Sequence, residues 1–398
     1  MDDLTLFVEH FSDGTLLSPM LITALMILIF GICLFVFAGS AGYLTTILTI
    51  AASAYPIARA KSIGNPFIRE EHLDELLEGG MVHDVLARIQ ATGFFLLKSN
   101  ENESSDRELM LEKKEMEEYQ AFLSSVPSDF TPFFDGYKTL YEIRMIKRII
   151  RMIHQGHTKE DIKRRVLPVG LMTDDLIFRM AESTCLDDSL HLLSDTPYKF
   201  LVSDPLETYH KQGLLIPLEI SLDQYGAEKL SSSSSLIRTH LVAPFRDFVS
   251  ILADISNIRT LIRGKHAGLS QSFISSCFLS QGLKIPPWRL IQLNEMMSVP
   301  DVISQLSGTA YDQLLMPVLS QYPGPGSLIQ FDLALDKFLL QTLSRISLVY
   351  YFTGGPLIRF MLVKEYEYRN IQVILAGLEE GVDTQTIRSL LVYDTVAG

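Results

Sequence analysis

Apolar residues recur at steps of three and four positions along most of the chain, which is typical of helices that bury one face. A clear example is the series Ile143, Ile146, Ile149, Ile150 and Ile153. An alternating pattern, which would indicate a strand, occurs near Leu214–Leu222, but Pro217 interrupts it and it stands alone. The hydrophobic pattern therefore predicts an all-α protein.

One helical unit occurs three times. Each copy has an acid fourteen positions before a glycine: Glu142 and Gly156, Asp254 and Gly268, Glu367 and Gly381. The acids are 112 and 113 residues apart. Each acid is followed after four positions by an isoleucine: Ile146, Ile258 and Ile371. Two positions after each glycine comes a residue that favours the N-cap of a helix: Thr158, Ser270 and Asp383. Six positions after each glycine comes a second isoleucine: Ile162, Ile274 and Ile387. The constant register indicates an internal repeat.

Simple physical chemistry explains this register. The apolar face before the glycine predicts a helix with one buried side. Glycine adopts the left-handed conformation that ends a helix at low cost. A Thr, Ser or Asp side chain then accepts a backbone hydrogen bond at the start of the next helix. Each copy is therefore predicted to be a helix, a tight turn and a helix.

The N-terminal region has a different pattern. An uncharged span of 45 residues covers Gly14–Ala58. Its central part, Met20–Ala38, is interrupted only by Thr23 and Gly31 and is long enough for a hydrocarbon core of about 30 Å. We therefore predict a transmembrane helix at about residues 19–40, within an N-terminal extension at 1–44.

Two alternatives compete with the transmembrane prediction: a signal peptide and a buried core helix. A signal peptide needs a basic start, whereas residues 1–13 contain four acids and no Lys or Arg. Arg59, Lys61 and Arg69 follow the span, so the positive-inside rule places the remaining chain in the cytoplasm. Tyr43–Ala58 is then either the second arm of a hairpin or, more simply, the first helix of the body.

Charge and cysteine content narrow the function classes. The chain has 34 Lys and Arg residues against 47 Asp and Glu residues, a net charge of −13, which argues against a nucleic-acid-binding surface. The three cysteines are odd in number and far apart: Cys33, Cys185 and Cys277. We interpret them as reduced core or membrane residues, as in a cytosolic protein.

The repeat also carries a family resemblance. The run D-x-x-N-I-R-x-L-I-R-G-K at Asp254–Lys265, together with Glu367, Asn370 and Ile371, resembles the C subunit of the archaeal A-type ATP synthase, the counterpart of the d subunit of V-type ATPases. The run at Tyr55–Lys61 resembles the first helices of that family. The similarity covers about residues 45–398 and is most specific in the second and third repeats.

This resemblance implies a three-lobed helical funnel without catalytic activity or cofactor. Family members sit on the cytoplasmic end of the membrane proteolipid ring and join it to the central shaft subunits. They transmit rotation during ATP synthesis and proton or sodium ion transport. With the repeat spacing, it predicts lobes at 45–170, 171–282 and 283–398, with boundaries near Gly170 and Gly282 and an approximate three-fold axis.

A search for catalytic and metal-binding patterns supports a non-catalytic role. Gly264–Lys265 is followed by His266 and lies inside a repeat, so it does not form a phosphate-binding loop. His154 and His157 flank the turn at Gly156, and no nearby carboxylate or cysteine completes a metal site. Trp288 follows two prolines and is predicted to anchor the core.

The remaining candidate site consists of polar residues on the repeat helices. Lys147 and Arg151 occupy the same positions as Arg259 and Arg263, on a different face from the isoleucines, whereas the third copy has Gln372 and Ala376. This stripe is either a solvated helix face or a wall that contacts the ring or the shaft. The acids Glu142, Asp254 and Glu367, with Asn257 and Asn370, either join that interface or hold a lobe together by bonding backbone groups.

Two functions are compatible with this sequence. One is a rotor adaptor that needs a stiff body with one interface for the ring and another for the shaft. The other is a membrane-tethered helical scaffold that kept the fold and left the rotor, an alternative suggested by the N-terminal extension.

Overall fold

The computed structural model describes residues 19–63, 76–77, 81–91, 104–183, 185–238, 241–279, 282–324 and 327–393. The chain comprises two compact units, Met1–Ala52 and Ser53–Gly398. In the described residues the regular elements are helices, and β-type pairing is limited to one isolated bridge between Val169 and Met172. The predicted all-α class is confirmed for this part of the chain.

The helices follow in this order: α1 (Pro19–Ile63), α2 (Val82–Ala91), α3 (Ser104–Leu123), α4 (Thr131–His154), α5 (Lys159–Arg165), α6 (Asp174–Glu182), α7 (Leu186–His191), the 3-10 helix η1 (Pro197–Val202), α8 (Asp204–Gln212), α9 (Ile216–Ser234), α10 (Ala243–His266), α11 (Gln271–Ser276), α12 (Pro287–Glu295), α13 (Val299–Gln305), α14 (Ala310–Leu319), α15 (Ser327–Val349), α16 (Gly355–Glu379) and α17 (Thr384–Ser389). We call α4, α10 and α16 the motif helices, because they carry the repeated acids. We call α3, α9 and α15 the bracing helices, because each precedes a motif helix.

Helix α1 contains the apolar N-terminal span. Its side chains from Leu25 to Phe37 are exposed in the first unit. Among the described residues, no helix has both the length and the apolarity required to cross a membrane. The transmembrane helix predicted at Met20–Ala38 is therefore not supported. The acidic start at residues 1–13, Arg69 and the side chain of Lys61, which were used to orient that span, lie outside the described residues.

The same helix continues through Tyr43–Ala58 without a hairpin turn. Within the second unit, Ile57 and Ala60 from its C-terminal part are buried in the main hydrophobic core. This part therefore acts as the first body helix, which was the simpler of the two interpretations.

The three predicted turns share one geometry. Gly156, Gly268 and Gly381 have φ of 75°, 67° and 66°. The residue after each glycine donates its N–H to a carbonyl five positions earlier, which is the Schellman arrangement. The predicted caps Thr158, Ser270 and Asp383 each accept a backbone N–H from the helix that follows. The helix–turn–helix prediction is confirmed in all three copies.

The repeated isoleucines face the interior of the second unit. Ile146, Ile258 and Ile371 are fully buried, and so are Ile274 and Ile387. Burying a side chain of this size stabilises a fold by about 1.5–3 kcal/mol. The register read from the sequence therefore identified the packing face of each motif helix.

Bracing and motif helices alternate around a cycle within the second unit. Helix α9 packs on α4 and α10, and α15 packs on α10 and α16. Helix α3 packs on α16 and reaches α4 through side chains, for example from Tyr119 Oη to the Phe134 carbonyl at 2.6 Å. Each bracing helix thus joins two motif helices. The lobe boundaries near Gly170 and Gly282 stay a prediction, because the second unit is one compact body.

The core role predicted for Trp288 is wrong, and so is the core or membrane role predicted for Cys185. Trp288 is 61% exposed, because α12 turns Leu290 and Leu293 inward instead. Cys185 is exposed and its Sγ caps α7. Cys277 is buried, which confirms its predicted core position, and Cys33 is exposed on the apolar helix α1, which excludes only a core position for it. The prediction for Trp288 failed because local apolarity does not determine which side of a helix meets the core.

Candidate functional site

A polar cavity of ≈ 340 Å³ lies among the two motif helices α4 and α10 and the bracing helix α9, with one residue from α16. Among the described residues its charged lining comprises five cations and two carboxylates: Arg144, Lys147, Arg151, Arg259 and Arg263; Asp223 and Glu365. All four cations of the predicted stripe are in this set. The structure thus brings together four stripe cations that are up to 116 positions apart in the sequence.

The helical period explains why these cations share one wall. Residues four apart lie on the same face of a helix, so Lys147 and Arg151 project together, and so do Arg259 and Arg263. The repeated isoleucines Ile146 and Ile258 lie on a different face of these helices. In the third copy, Gln372 and Ala376 line a different cavity of ≈ 250 Å³ between α3 and α16. The third copy, which lacks the cations at these positions, therefore does not line the polar cavity through them.

Each stripe cation is paired with an acid on the next bracing helix. Arg151 Nε lies 2.6 Å from Glu219 on α9, and Lys147 pairs with Asp223 on the same helix. Arg263 Nη2 lies 2.6 Å from Asp332 on α15. These pairs tie a motif helix to its brace. The sequence pattern did not identify these acids as ion-pair partners, because only the packing of the helices brings them next to the cations.

Asp336 on α15 is the most enclosed of these acids. It contacts Arg259 of α10, accepts from Tyr366 Oη at 2.8 Å and pairs with Arg369 Nη1 at 2.7 Å. Burial by itself disfavours its charged form, but Arg259 and Arg369 outweigh burial and lower the pKa of Asp336. This carboxylate therefore stays ionised and links two motif helices through one brace.

A second buried cluster joins α3, α4 and α16. Arg144 contacts Glu365 of α16 and lies 3.4 Å from Glu115 of α3. Glu115 also accepts from Tyr141 Oη at 3.0 Å, and Tyr137 donates to Glu365. Desolvation raises the pKa of Glu115 from 4.5 to about 7, while Arg144 opposes this effect and Glu365 adds to it. One guanidinium is thus shared between two carboxylates.

The raised pKa predicts a pH dependence of stability. Because the folded protein binds a proton at Glu115 more tightly than the unfolded chain, this contribution is fully present below about pH 4.5 and is lost as the pH rises through about 7. Glu115→Gln removes the titration. The free energy of unfolding of the wild type, relative to this variant, should fall by about 3 kcal/mol across that window.

Urea unfolding of both proteins across this pH range measures the difference. Glu117→Gln on the same helix is the matched control, because its side chain is exposed. A wild-type difference from Glu115→Gln that stays flat with pH would contradict the assignment.

The repeated acids are buried and bonded inside the fold. Glu142 accepts from Leu171 N at 3.2 Å and from Tyr198 Oη at 2.6 Å. Asp254 accepts in the same way from Lys284 N at 2.7 Å, Ile285 N at 3.2 Å and Tyr311 Oη at 3.1 Å. In the third copy Glu367 pairs with Lys364 Nζ at 2.7 Å. The first two acids therefore anchor the chain that follows their repeats.

The same anchoring explains two further features. A Cβ on Gly170 would collide with the Glu142 carboxylate, and one on Gly282 would collide with that of Asp254, so glycine permits this close approach. Tyr198 and Tyr311 each follow a Thr by two positions and lie 56 and 57 residues after the acid. That spacing is a further repeat signal in the sequence, and it would have identified both tyrosines as partners of the acids.

Asn257 and Asn370 make one identical contact. The Asn257 side chain donates to the Leu279 carbonyl at 2.9 Å and accepts its N–H at 2.8 Å. Asn370 does the same with Val392, at 2.7 and 3.0 Å. In the first copy Met145 replaces the asparagine, and its sulfur accepts Leu167 N at 3.4 Å. Of the two roles considered for the acids and asparagines, this geometry favours holding the fold together over contacting a partner.

Comparison with known proteins gives the family. The family model for the ATP synthase (C/AC39) subunit matches residues 56–390. A protein of Methanocaldococcus jannaschii, named as the C subunit of the A-type ATP synthase, is 26% identical over 353 residues, which cover 87% of this chain and 88% of that protein. The protein of the same name from Methanothermobacter thermautotrophicus is 27% identical over 337 residues, covering 84% of this chain and 86% of its own. The family match spans most of the chain, and the chain therefore belongs to the ATP synthase (C/AC39) subunit family.

Proposed function

We propose that the protein is a non-catalytic central-stalk subunit of an A-type ATP synthase. In this role it joins the shaft subunits to the proteolipid ring at the cytoplasmic face of the membrane and transmits rotation during ATP synthesis and proton or sodium ion transport. Family membership supports the assignment to an ATP synthase. The observation that carries the mechanical role is the polar cavity, because it lies between the motif helices of two repeats and offers a polar contact surface for the end of a shaft.

The packing of the second unit suits this role. A part that transmits torque must resist bending, and each bracing helix here fixes two motif helices by apolar packing. Ion pairs reinforce the joints through Glu219, Asp332 and Asp336. The buried Asp336 carboxylate in particular favours one arrangement of the helices, because separating it from Arg259 leaves its charge unpaired in a medium of low polarity. A stiff socket with non-identical walls is suited to an asymmetric shaft.

Co-purification from the native membrane tests this proposal. A C-terminally tagged full-length chain is expressed in its own cells, solubilised in mild detergent and analysed by mass spectrometry. We expect shaft and proteolipid subunits in near-stoichiometric amounts. A tagged protein that reaches the membrane without either of them would contradict the rotor proposal and favour the scaffold alternative. An unrelated tagged membrane protein serves as the control for carry-over.

A further inference from the structure

We propose that the polar cavity binds carboxylate groups, so that the shaft segment that enters it has an acidic end. This inference rests on the proposed function for the identity of the partner. Its chemistry comes from the cavity wall, where among the described residues five cations face two carboxylates. The whole chain carries a net charge of −13, whereas cations outnumber carboxylates among the side chains that line the cavity. A concave site whose lining has an excess of cations favours partners of negative charge.

Two arginines of the wall, Arg151 and Arg263, are more exposed than the acids with which they pair. Arg151 has a side chain that is 52% exposed, whereas its partner Glu219 is 14% exposed. The guanidinium of Arg151 is therefore more accessible to a ligand than the carboxylate of Glu219. Arg263 is likewise more exposed than its partner Asp332. Asp223 is the exception, since it is more exposed than Lys147.

The arginines also have donor groups to offer. A guanidinium carries five N–H donors in a planar fork. Arg151 contacts Glu219 through Nε, and Arg263 contacts Asp332 through Nη2. The rest of each fork can bind a second carboxylate, and a bidentate contact of this type is stronger than a neutral hydrogen bond.

Other occupants fit less well. An apolar helix end would bury the arginine groups without new partners, which costs free energy. A cationic segment would be repelled by the wall. An acidic segment both satisfies the unused donors and gains from the local field.

Binding measurements with charge variants test the inference. The probe is the purified shaft subunits of the same synthase, titrated into the full-length protein. The cavity variant is Arg151→Glu with Arg263→Glu. The matched control is Arg179→Glu with Arg246→Glu, which makes the same charge change at exposed arginines outside the cavity. We expect the cavity variant to weaken binding by about tenfold or more, and the control by less than about twofold.

A milder variant separates a loss of binding from a loss of folding. Arg151→Gln with Arg263→Gln removes the charges without creating repulsion with Glu219 and Asp332, and it should weaken binding by an intermediate factor. Thermal unfolding checks that each variant is folded. Wild-type affinity should also fall as salt rises, because screening weakens exposed charge contacts. Equal binding by folded cavity and control variants, with no salt dependence, would overturn the inference and leave the rotor proposal intact.

A labelled oligoglutamate peptide separates the two proposals. Binding of this peptide to the wild type, with loss in the cavity variant, supports a carboxylate-binding cavity even when the shaft subunits do not bind. In that case the rotor proposal fails and the inference about the cavity stands. If neither probe binds, both are overturned. An oligolysine peptide of the same length is the control and should not bind the cavity.

Discussion

Replacing Asp254 by alanine should lower the free energy of unfolding by about 3–5 kcal/mol. The side chain is fully buried and accepts from Lys284 N at 2.7 Å, Ile285 N at 3.2 Å and Tyr311 Oη at 3.1 Å. Alanine leaves these donors without their acceptor. Each buried donor without a partner costs about 1–3 kcal/mol. Denaturant unfolding of the full chain measures the loss.

The matched control is Asp175→Ala. Asp175 is exposed and lies 3.8 Å from Arg179, so we expect a change below about 1 kcal/mol. Asp254→Asn should fall between the two, because its amide oxygen still accepts a hydrogen bond while its NH₂ group faces other donors. Equal stability of the Asp254→Ala and Asp175→Ala proteins would show that the repeated acid does not hold the following chain in place.

Replacing Ile258 by alanine should cost about 2–5 kcal/mol. Ile258 is fully buried on the inner face of α10, at the position that Ile146 and Ile371 occupy in the other copies. The change removes apolar contacts and leaves a cavity that the rigid helix pair cannot close. The midpoint of urea unfolding should fall with little change in slope.

Ile291→Ala is the control for this prediction. Ile291 is exposed on α12, so its truncation should change stability by less than about 0.5 kcal/mol. If Ile258→Ala is as mild as Ile291→Ala, then the buried face of the motif helices was placed incorrectly and the repeat has another origin.

Much of the fold could be predicted because its signals are local. The turn at Gly268 depends on a left-handed glycine, and the helix after it depends on a hydrogen bond from Phe273 N to Ser270, three positions away. Apolar spacing along a single helix identified Ile258 as buried. Local signals are weaker at Ser231–Ser235, because a run of five serines is typical of a loop, yet α9 continues to Ser234. Serine hydroxyls there bond backbone carbonyls of the preceding turn, as Ser234 does with Ser231 at 2.7 Å.

The candidate site could be predicted only in part. The cation stripe was visible because Lys147 and Arg151 recur as Arg259 and Arg263. Arg144 was missed because the equivalent position in the second copy is a serine. Glu365 was missed because it belongs to α16, which is distant in sequence from the cation stripe. Their contact joins α4 to α16 across 221 positions.

By itself, the sequence determined the helical class, the three turns, their caps and the face that each motif helix buries, because these depend on hydrogen bonds and apolar spacing within a few residues. The tertiary structure alone decided which acid neutralises which arginine, as with Arg259 and Asp336, 77 positions apart. It also decided that Trp288 points outward and that Met145 takes the place of Asn257. The physical reason is that a long-range partner is chosen by how helices pack, and packing can satisfy the same backbone N–H with an amide or with a sulfur atom.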